Sequence, residues 1–387
     1  MIVQPYQVNK RLEWIDAARG FAILGIFMVN IGSFSAPYFL YGGAEDTWTA
    51  GMDQFSLAFI DIFFQASFYT LFSILFGFGI QIQKDSLDKK DISPYAFFGR
   101  RLGTLIVFGI IHAFAVWNGD ILLTYGTMGF LLLLFLNSGD KALAGWGVGL
   151  LGFSTIAFTS LQYAARDFIV LGNTSEIEQA FQSYRSNDFS IIMAQNFLDW
   201  QLSNGFLGFI IYPFIILPLF LFGMYLARKR WFHDPLSYRS ILKKIWVISL
   251  IVFILFKIGP YLFGNPLWFA LVQDNIGGTA SAVFYLTSIT LLWQKGISRK
   301  ILRVLTPIGK MALSNYLLQS VISFWLFYGV GFGLYGEVRP FQQILIVLVI
   351  FCLQIIGSTI WLRYFQFGPV EWLWRCITYK KMQPFRR

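Results

Sequence analysis

Along most of the chain the apolar residues neither alternate with polar ones nor keep to one helical face. They run on for about 18 residues or more, and short polar, glycine-rich or basic connections separate the runs. A run of that length crosses about 30 Å of hydrocarbon as a helix, so the pattern predicts an all-α polytopic transmembrane bundle of about ten spans. They fall at 19–36, 54–81, 99–117, 120–136, 142–164, 206–227, 241–263, 267–293, 305–328 and 341–365. Continuous runs exclude a membrane β-barrel, whose strands alternate. The eighth run is interrupted by Gln273, Asp274, Asn275 and Gly277-Gly278. That is the pattern of a broken or re-entrant segment, whose irregular backbone would have to face protein or a wet cavity.

The one sizeable polar connection, 166–204, carries a cap-like Asn173-Thr174-Ser175-Glu176 and predicts one or two short helices on the outer surface. With no internal repeat and no separate soluble unit, residues 1–387 read as a single integral domain ending in a basic tail, 366–387.

Composition agrees: 56% hydrophobic and 13% charged residues exclude a soluble globular protein. The net charge of +10 would suggest nucleic acid in a soluble chain, but the positions of the basic residues argue against such a partner and for a lipid bilayer. Twenty-six of the 30 Lys and Arg lie in the N-terminal segment, in alternate connections and in the tail. Only Arg166, Arg185 and Arg339 fall on the other side, and Lys257 lies inside a span. The asymmetry predicts that both termini are cytoplasmic. Lys10, Arg11 and Arg19 ahead of an apolar run and Ser33-Phe34-Ser35-Ala36 imitate a secretory signal; the long polar lead favours a retained first span. Cys352 and Cys376 supply neither a disulfide framework nor zinc spacing, and no metal site is expected.

Polar groups inside spans need a partner or a purpose. The stretch Ile111 to Gly126 holds one of only two histidines, His112, and turns through Trp117-Asn118-Gly119-Asp120. So short a turn makes its flanking helices antiparallel neighbours and brings His112 and Asp120 close. A base beside a carboxylate in an apolar wall is the best catalytic candidate; a packing histidine and a helix N-cap aspartate are the alternative. With the topology above, Asn30, Asp61, His112, Asp120, Lys257 and Asp274 all fall in the outer half of the bilayer. This suggests one polar pocket open to the outside, or else side chains snorkelling to the interface.

On the inner side Asp16 and Arg19 are three apart and can pair on one helical face. Arg100 and Arg101 open the third span, and guanidinium groups there could hold phosphates or serve only as topology signals. Gly77 and Gly79 suit close helix packing. Trp372 and Trp374, with Glu371 and Arg375 four apart, describe an interfacial helix. There is no G-x-S-x-G, Walker loop, H-E-x-x-H or paired C-x-x-C, so catalysis, if present, is direct general base chemistry.

The set Ile15-Asp16-Ala17-Ala18-Arg19-Gly20-Phe21 with Val29-Asn30, Leu71 to Gly79, and His112 with Gly119-Asp120-Ile121-Leu122 and Tyr125 resembles the YeiB-like family of bacterial membrane proteins. The C-terminal half adds Gly309-Lys310-Met311-Ala312-Leu313-Ser314-Asn315-Tyr316-Leu317-Leu318-Gln319-Ser320 and Gly368 to Arg375, which look like that family's domain of unknown function 418. The family is grouped with a wider superfamily of transmembrane acyltransferases. The resemblance therefore implies a bacterial cell-membrane enzyme moving an acyl group from cytoplasmic acyl-CoA to an envelope glycan or lipid, with no resident cofactor. It points to Asp16, Arg19, Asn30 and Asp61, and within the second motif to Asn315 and Gln319. The superfamily's histidine belongs between the first two spans, where Tyr38 to Asp53 holds none, so either His112 takes its role or the chemistry differs. A transporter using Lys257, Asp274 and the Gly277-Gly278 interruption is the other functional reading.

Overall fold

The computed structural model describes residues 12–168 and 173–387. Lys10 and Arg11 of the charge count, and 169–172 of the outer connection, lie outside them. The fold is an all-α polytopic transmembrane bundle, with no strand among the described residues. Its longer helices are α1 (Glu13–Ser35), α2 (Gly51–Phe63), α3 (Ser67–Asp88), α4 (Pro94–Ala115), α5 (Leu122–Leu132), α6 (Asp140–Ala164), α7 (Thr174–Tyr184), α8 (Phe189–Asn204), α9 (Phe206–Lys229), α10 (Arg239–Phe253), α11 (Gly278–Trp293), α12 (Ala312–Phe327), α13 (Pro340–Tyr364) and α14 (Pro369–Tyr379). Seven helical stretches are long and apolar enough to cross a membrane; Leu122–Phe135 and Ala312–Phe327 are apolar but shorter. Residues such as Leu134, Ile156, Leu262 and Phe263 are more than two-thirds exposed, an apolar exterior suited to lipid.

Local chemistry sets the helix ends. Proline at the first turn opens α4, α13 and α14, where its missing N–H costs nothing. Asn173 and Asp188 cap α7 and α8 by accepting the N–H of Glu176 and of Ser190. At the centre, α3 and α9 touch backbone to backbone. A Cβ on Gly77 would lie 2.0 Å from the Phe220 carbonyl oxygen, so only glycine permits the approach.

Two stretches differ from the sequence expectation. The run 54–81 is not one helix: α2 stops at Phe63 and α3 starts at Ser67, with Ala66 at φ 60°. The eighth run is not broken at Gly277-Gly278. It stays helical through a π turn, Gln273–Gly277, and a second π turn, Ile254–Ile258, extends α10. The glycines serve proximity instead, since a Cβ at Gly277 would meet the Lys257 side chain and one at Gly278 would meet Ala66.

Alternate connections meet in space. At one end Trp14 donates to the Phe232 carbonyl, Arg303 pairs with Glu13, Lys229 pairs with Asp140, and the Trp374 indole donates to the Arg101 carbonyl. We call this end the tail face. At the other, the loop face, Tyr41 donates to Asp199, Gly336 N–H to the Ser35 carbonyl, and Arg185 to the Tyr335 carbonyl.

Candidate functional site

α4 ends just past His112, whose carbonyl accepts the Val116 and Trp117 N–H groups as the chain turns. α5 begins at Leu122, and Gly109 lets it come in close: a Cβ there would lie 2.3 Å from the Leu123 nitrogen. That approach sets Asp120 against the imidazole. His112 Nδ1 and Asp120 Oδ1 are 2.7 Å apart, and Oδ2 accepts the Leu123 N–H at 2.7 Å. Asp120 is thus both a helix-capping group and a histidine partner; the two sequence readings are one arrangement. Both residues are buried, and His112 Nε2 has no hydrogen-bond partner among the described residues. When Nδ1–H donates to the carboxylate, Nε2 keeps its lone pair, the disposition of a general base held in one tautomer.

Below the dyad lies a cavity of about 440 Å³ that extends to the tail face. Its deep end is lined by Ile121, Tyr125 and Tyr316, and its middle by Ile23, Ile26, Phe72 and Leu105. The Tyr316 ring stands 5.2 Å from the imidazole, centroid to centroid, and its hydroxyl accepts the Ile121 N–H. One aromatic ring therefore separates the cavity from His112. Toward the tail face the lining turns basic, with Arg19, Arg101, Lys310 and Arg375. Arg19 pairs with the buried Asp16 at 3.3 Å, and the Arg101 guanidinium lies 3.6 Å over the Trp374 ring. His233 also lines this end, where burial, helped by Arg230, holds its imidazole below the usual value. Glu371 is another lining residue; it accepts from the Leu313 and Ser314 N–H groups and so caps α12, while burial raises its carboxyl above the usual range.

The expected single polar pocket in the outer half is instead two separate groups, and the cavity beside the dyad extends to the opposite end. Lys257 is fully buried, so it does not snorkel. Its Nζ donates to Asp274 Oδ1 at 3.1 Å and lies 3.9 Å from Asp61 Oδ1, while Tyr261 and Gln273 both donate to Asp61 Oδ2. Lys257 sits on one π turn and Asp274 on the other. None of Asp61, Lys257 and Asp274 lines the cavity.

Other candidates divide likewise. Asp16, Arg19 and Arg101 line the cavity; Arg100 does not, its Nε being tied to the Thr378 carbonyl at 2.9 Å. Asn315 and Gln319 face α13, where they bond Ser358 and Gln354 and act as interhelical links. Asn30 is half-buried in α1 outside the cavity lining. Asn118 bonds Tyr184 and Asp199 on the loop face.

Sequence reasoning missed Tyr316, Trp374 as a partner of Arg101, and Asp199. The last is a buried carboxylate accepting from Tyr41, Tyr184, Gln195 and Asn118. Helix α8 does not simply lie on the outer surface: Gln195, Asn196 and Asp199 point inward. Their spacing along one helical face was the available signal.

The profile of a family described as protein of unknown function (DUF418) matches residues 226–381. Uncharacterized protein YxaH of Bacillus subtilis (strain 168) is 35% identical over 404 residues, covering 100% of this chain and 98% of the relative. Uncharacterized protein YeiB of Escherichia coli (strain K12) is 28% identical over 402 residues, 96% of this chain and 97% of its own. An uncharacterized 39.9 kDa protein in the amylase 3' region of Bacillus acidopullulyticus is 27% identical over 382 residues, 99% and 98%. No solved structure matches.

Proposed function

We propose that this chain, which belongs to the YeiB-like family of proteins of unknown function (DUF418), is a cell-membrane acyltransferase taking acyl groups from cytoplasmic acyl-CoA. The acceptor is a hydroxyl or amine of an extracytoplasmic glycan or lipid. The observation that carries the reading is the buried His112–Asp120 dyad, one tyrosine ring from the deep end of an apolar cavity whose other end is basic. By the distribution of Lys and Arg, the tail face and both termini are cytoplasmic.

In this scheme Arg19 and Arg101 hold the donor's phosphates, by charge-assisted hydrogen bonds that a guanidinium makes well. The apolar middle takes the pantetheine and acyl portion, and the thioester sits toward Ile121 and Tyr316. The step requires the Tyr316 ring to swing from between thioester and imidazole; His112 Nε2 then accepts the acceptor's proton as its oxygen or nitrogen attacks the thioester carbonyl. The carbon–sulfur bond then breaks, and the departing thiolate takes the proton from the imidazolium. Asp120 holds the tautomer and stabilises the transient positive charge. General base help of this kind is worth roughly 10²- to 10⁴-fold.

A transport reading draws on one observation, the Lys257 cluster on two π turns, since π turns recur at functional sites. Loss of an uptake or efflux activity in Lys257→Ala or Asp274→Ala, with His112→Ala unaffected, would favour it.

The test is a mass-spectrometric comparison of envelope glycans and lipids in wild-type, deletion and His112→Ala strains. An acyl mass missing from the last two supports the proposal, and an unchanged profile in all three refutes it.

A further inference from the structure

The corner that carries Asp120 is gripped from outside by α8 at three points. Asn196 Nδ2 donates to the Ala113 carbonyl at 2.7 Å, next to His112 and among the carbonyls that the end of α4 leaves unpaired. Asn204 Nδ2 donates to the Asn118 carbonyl at 3.1 Å. Asn118 Nδ2 donates to Asp199 Oδ2 at 3.3 Å and to the Tyr184 hydroxyl at 3.2 Å, and that hydroxyl itself donates to Oδ2 at 2.7 Å. The other oxygen of Asp199 accepts from Tyr41 at 2.6 Å and Gln195 at 2.7 Å. Asp199, Asn118, Asn196 and Asn204 are all buried.

This pattern is more than helix packing. The backbone of the corner, Trp117 to Asp120, has few regular hydrogen bonds of its own, and Asn118 is held by both its carbonyl and its side chain. Asp120 follows two residues later. Its distance from His112 thus depends on where the corner sits relative to the end of α4, and α8 touches both sides of that joint.

We propose that α8 is a clasp that sets the His112–Asp120 geometry, with Asp199 as its positioning residue. Asp199 reaches neither the imidazole nor the cavity; it acts through Asn118. A carboxylate is needed because it only accepts, and four donors converge on it. An asparagine in its place would turn an N–H toward donors and release at least one of them. The inference rests on the dyad used in the proposed acyl transfer, but its readout needs no turnover, so either idea can fail without the other.

The chain has two histidines, so His233→Gln leaves His112 as the single imidazole. In that background, full-length protein labelled with ¹⁵N-histidine in lipid nanodiscs reports the His112 tautomer and the exchange rate of its Nδ1 proton. The parent is expected to show one tautomer, with a slowly exchanging Nδ1–H. Asp199→Asn and Asn118→Ala should each speed exchange by about tenfold or more and mix the tautomers, the effect of weakening one charge-assisted bond. Asp199→Glu should recover part of the parent behaviour. If Asp199→Asn does not fold, Asn196→Ala, which cuts only the grip on Ala113, gives the reading together with Asn118→Ala. Folded variants with the parent's tautomer and exchange rate would overturn the proposal.

Discussion

Two sets of charged groups lie inside this bundle, and they look alike in sequence. The His112–Asp120 pair and the Asp61–Lys257–Asp274 cluster each join a basic side chain to carboxylate in an apolar wall. They differ in what is left over. In the dyad Asp120 is satisfied by Nδ1 and the Leu123 N–H, and the imidazole keeps a buried nitrogen with no partner among the described residues. In the cluster Lys257 faces two carboxylates, and Asp61 takes two further hydrogen bonds from Tyr261 and Gln273. The dyad is also one ring from a cavity, whereas no member of the cluster lines it. A group whose bonding is nearly complete holds helices together, and one with a bond to spare is fit for chemistry.

That contrast breaks most sharply at His112. His112→Gln, whose amide N–H can still donate to the fully buried Asp120, should reduce the proposed acyl transfer by roughly 10²- to 10⁴-fold, the usual worth of a general base, while moving the thermal midpoint little. The measurement is acyl incorporation into envelope material alongside fluorescence-monitored unfolding. A variant that unfolds early yet keeps its acyl product would exchange the roles of the two sets.

The mirror experiment is Lys257→Ala. Removing Lys257 strips two carboxylates of their counter-charge; a fully buried pair would lose roughly 3–5 kcal/mol, and because Asp61 and Asp274 are 31% and 26% exposed the loss should be smaller, read as a lower unfolding temperature. Adding Asp61→Asn and Asp274→Asn to Lys257→Met should recover most of that loss, because replacing a whole buried charge set is often near neutral. If the single variant is as stable as wild type but loses an ion or substrate flux, the cluster is a transport site.

How far the sequence reached follows from the distances involved. His112 and Asp120 are eight residues apart across a turn too short to separate them, so their contact could be read directly. Tyr261 and Asp61 are 200 residues apart, and depth in the membrane does not say which way around a helix a side chain points. Six polar residues at similar depth therefore looked like one pocket; five of them form a pair and a trio, and Asn30 belongs to neither. Gly277-Gly278 was ambiguous for a related reason, because glycines that break a helix and glycines that admit a neighbour look the same in one dimension. The cavity is lined from α1, α3, α4, α5, α12 and α14, an assembly with no linear signature. Even adjacent arginines part company: Arg101 lines it and Arg100 is bound to the tail helix.

Those two arginines sharpen the comparison at intermediate scale. Hydrogen bonds to charged groups are worth about 1.5–3 kcal/mol, so if the proposed donor is bound, Arg101→Ala should weaken acyl-CoA binding by roughly ten- to a hundredfold. Arg100→Ala should leave it near the wild-type value. Equilibrium binding of a non-hydrolysable acyl-CoA analogue to the purified protein decides. Equal losses at both positions would mean that general positive charge, and not the cavity, holds the donor.

The smallest effect concerns the clasp and is read through pH. Burial raises the Asp199 carboxyl above its usual range, an effect larger than the opposing one of its hydrogen bonds to Tyr41, Tyr184 and Gln195. A carboxyl whose pKa is higher in the folded than in the unfolded protein favours the folded state when protonated. Its contribution is complete below the unfolded value of about 3.9 and is lost as pH rises through the folded one. The stability difference between wild type and Asp199→Asn should therefore shift against the wild type as pH rises from about 4 toward neutrality, since asparagine does not titrate. Other carboxyls titrate in both proteins and cancel in the difference. A pH-independent difference would mean that Asp199 has the same affinity for its proton folded and unfolded. A difference that moves in the wild type's favour would mean that the four donors outweigh burial.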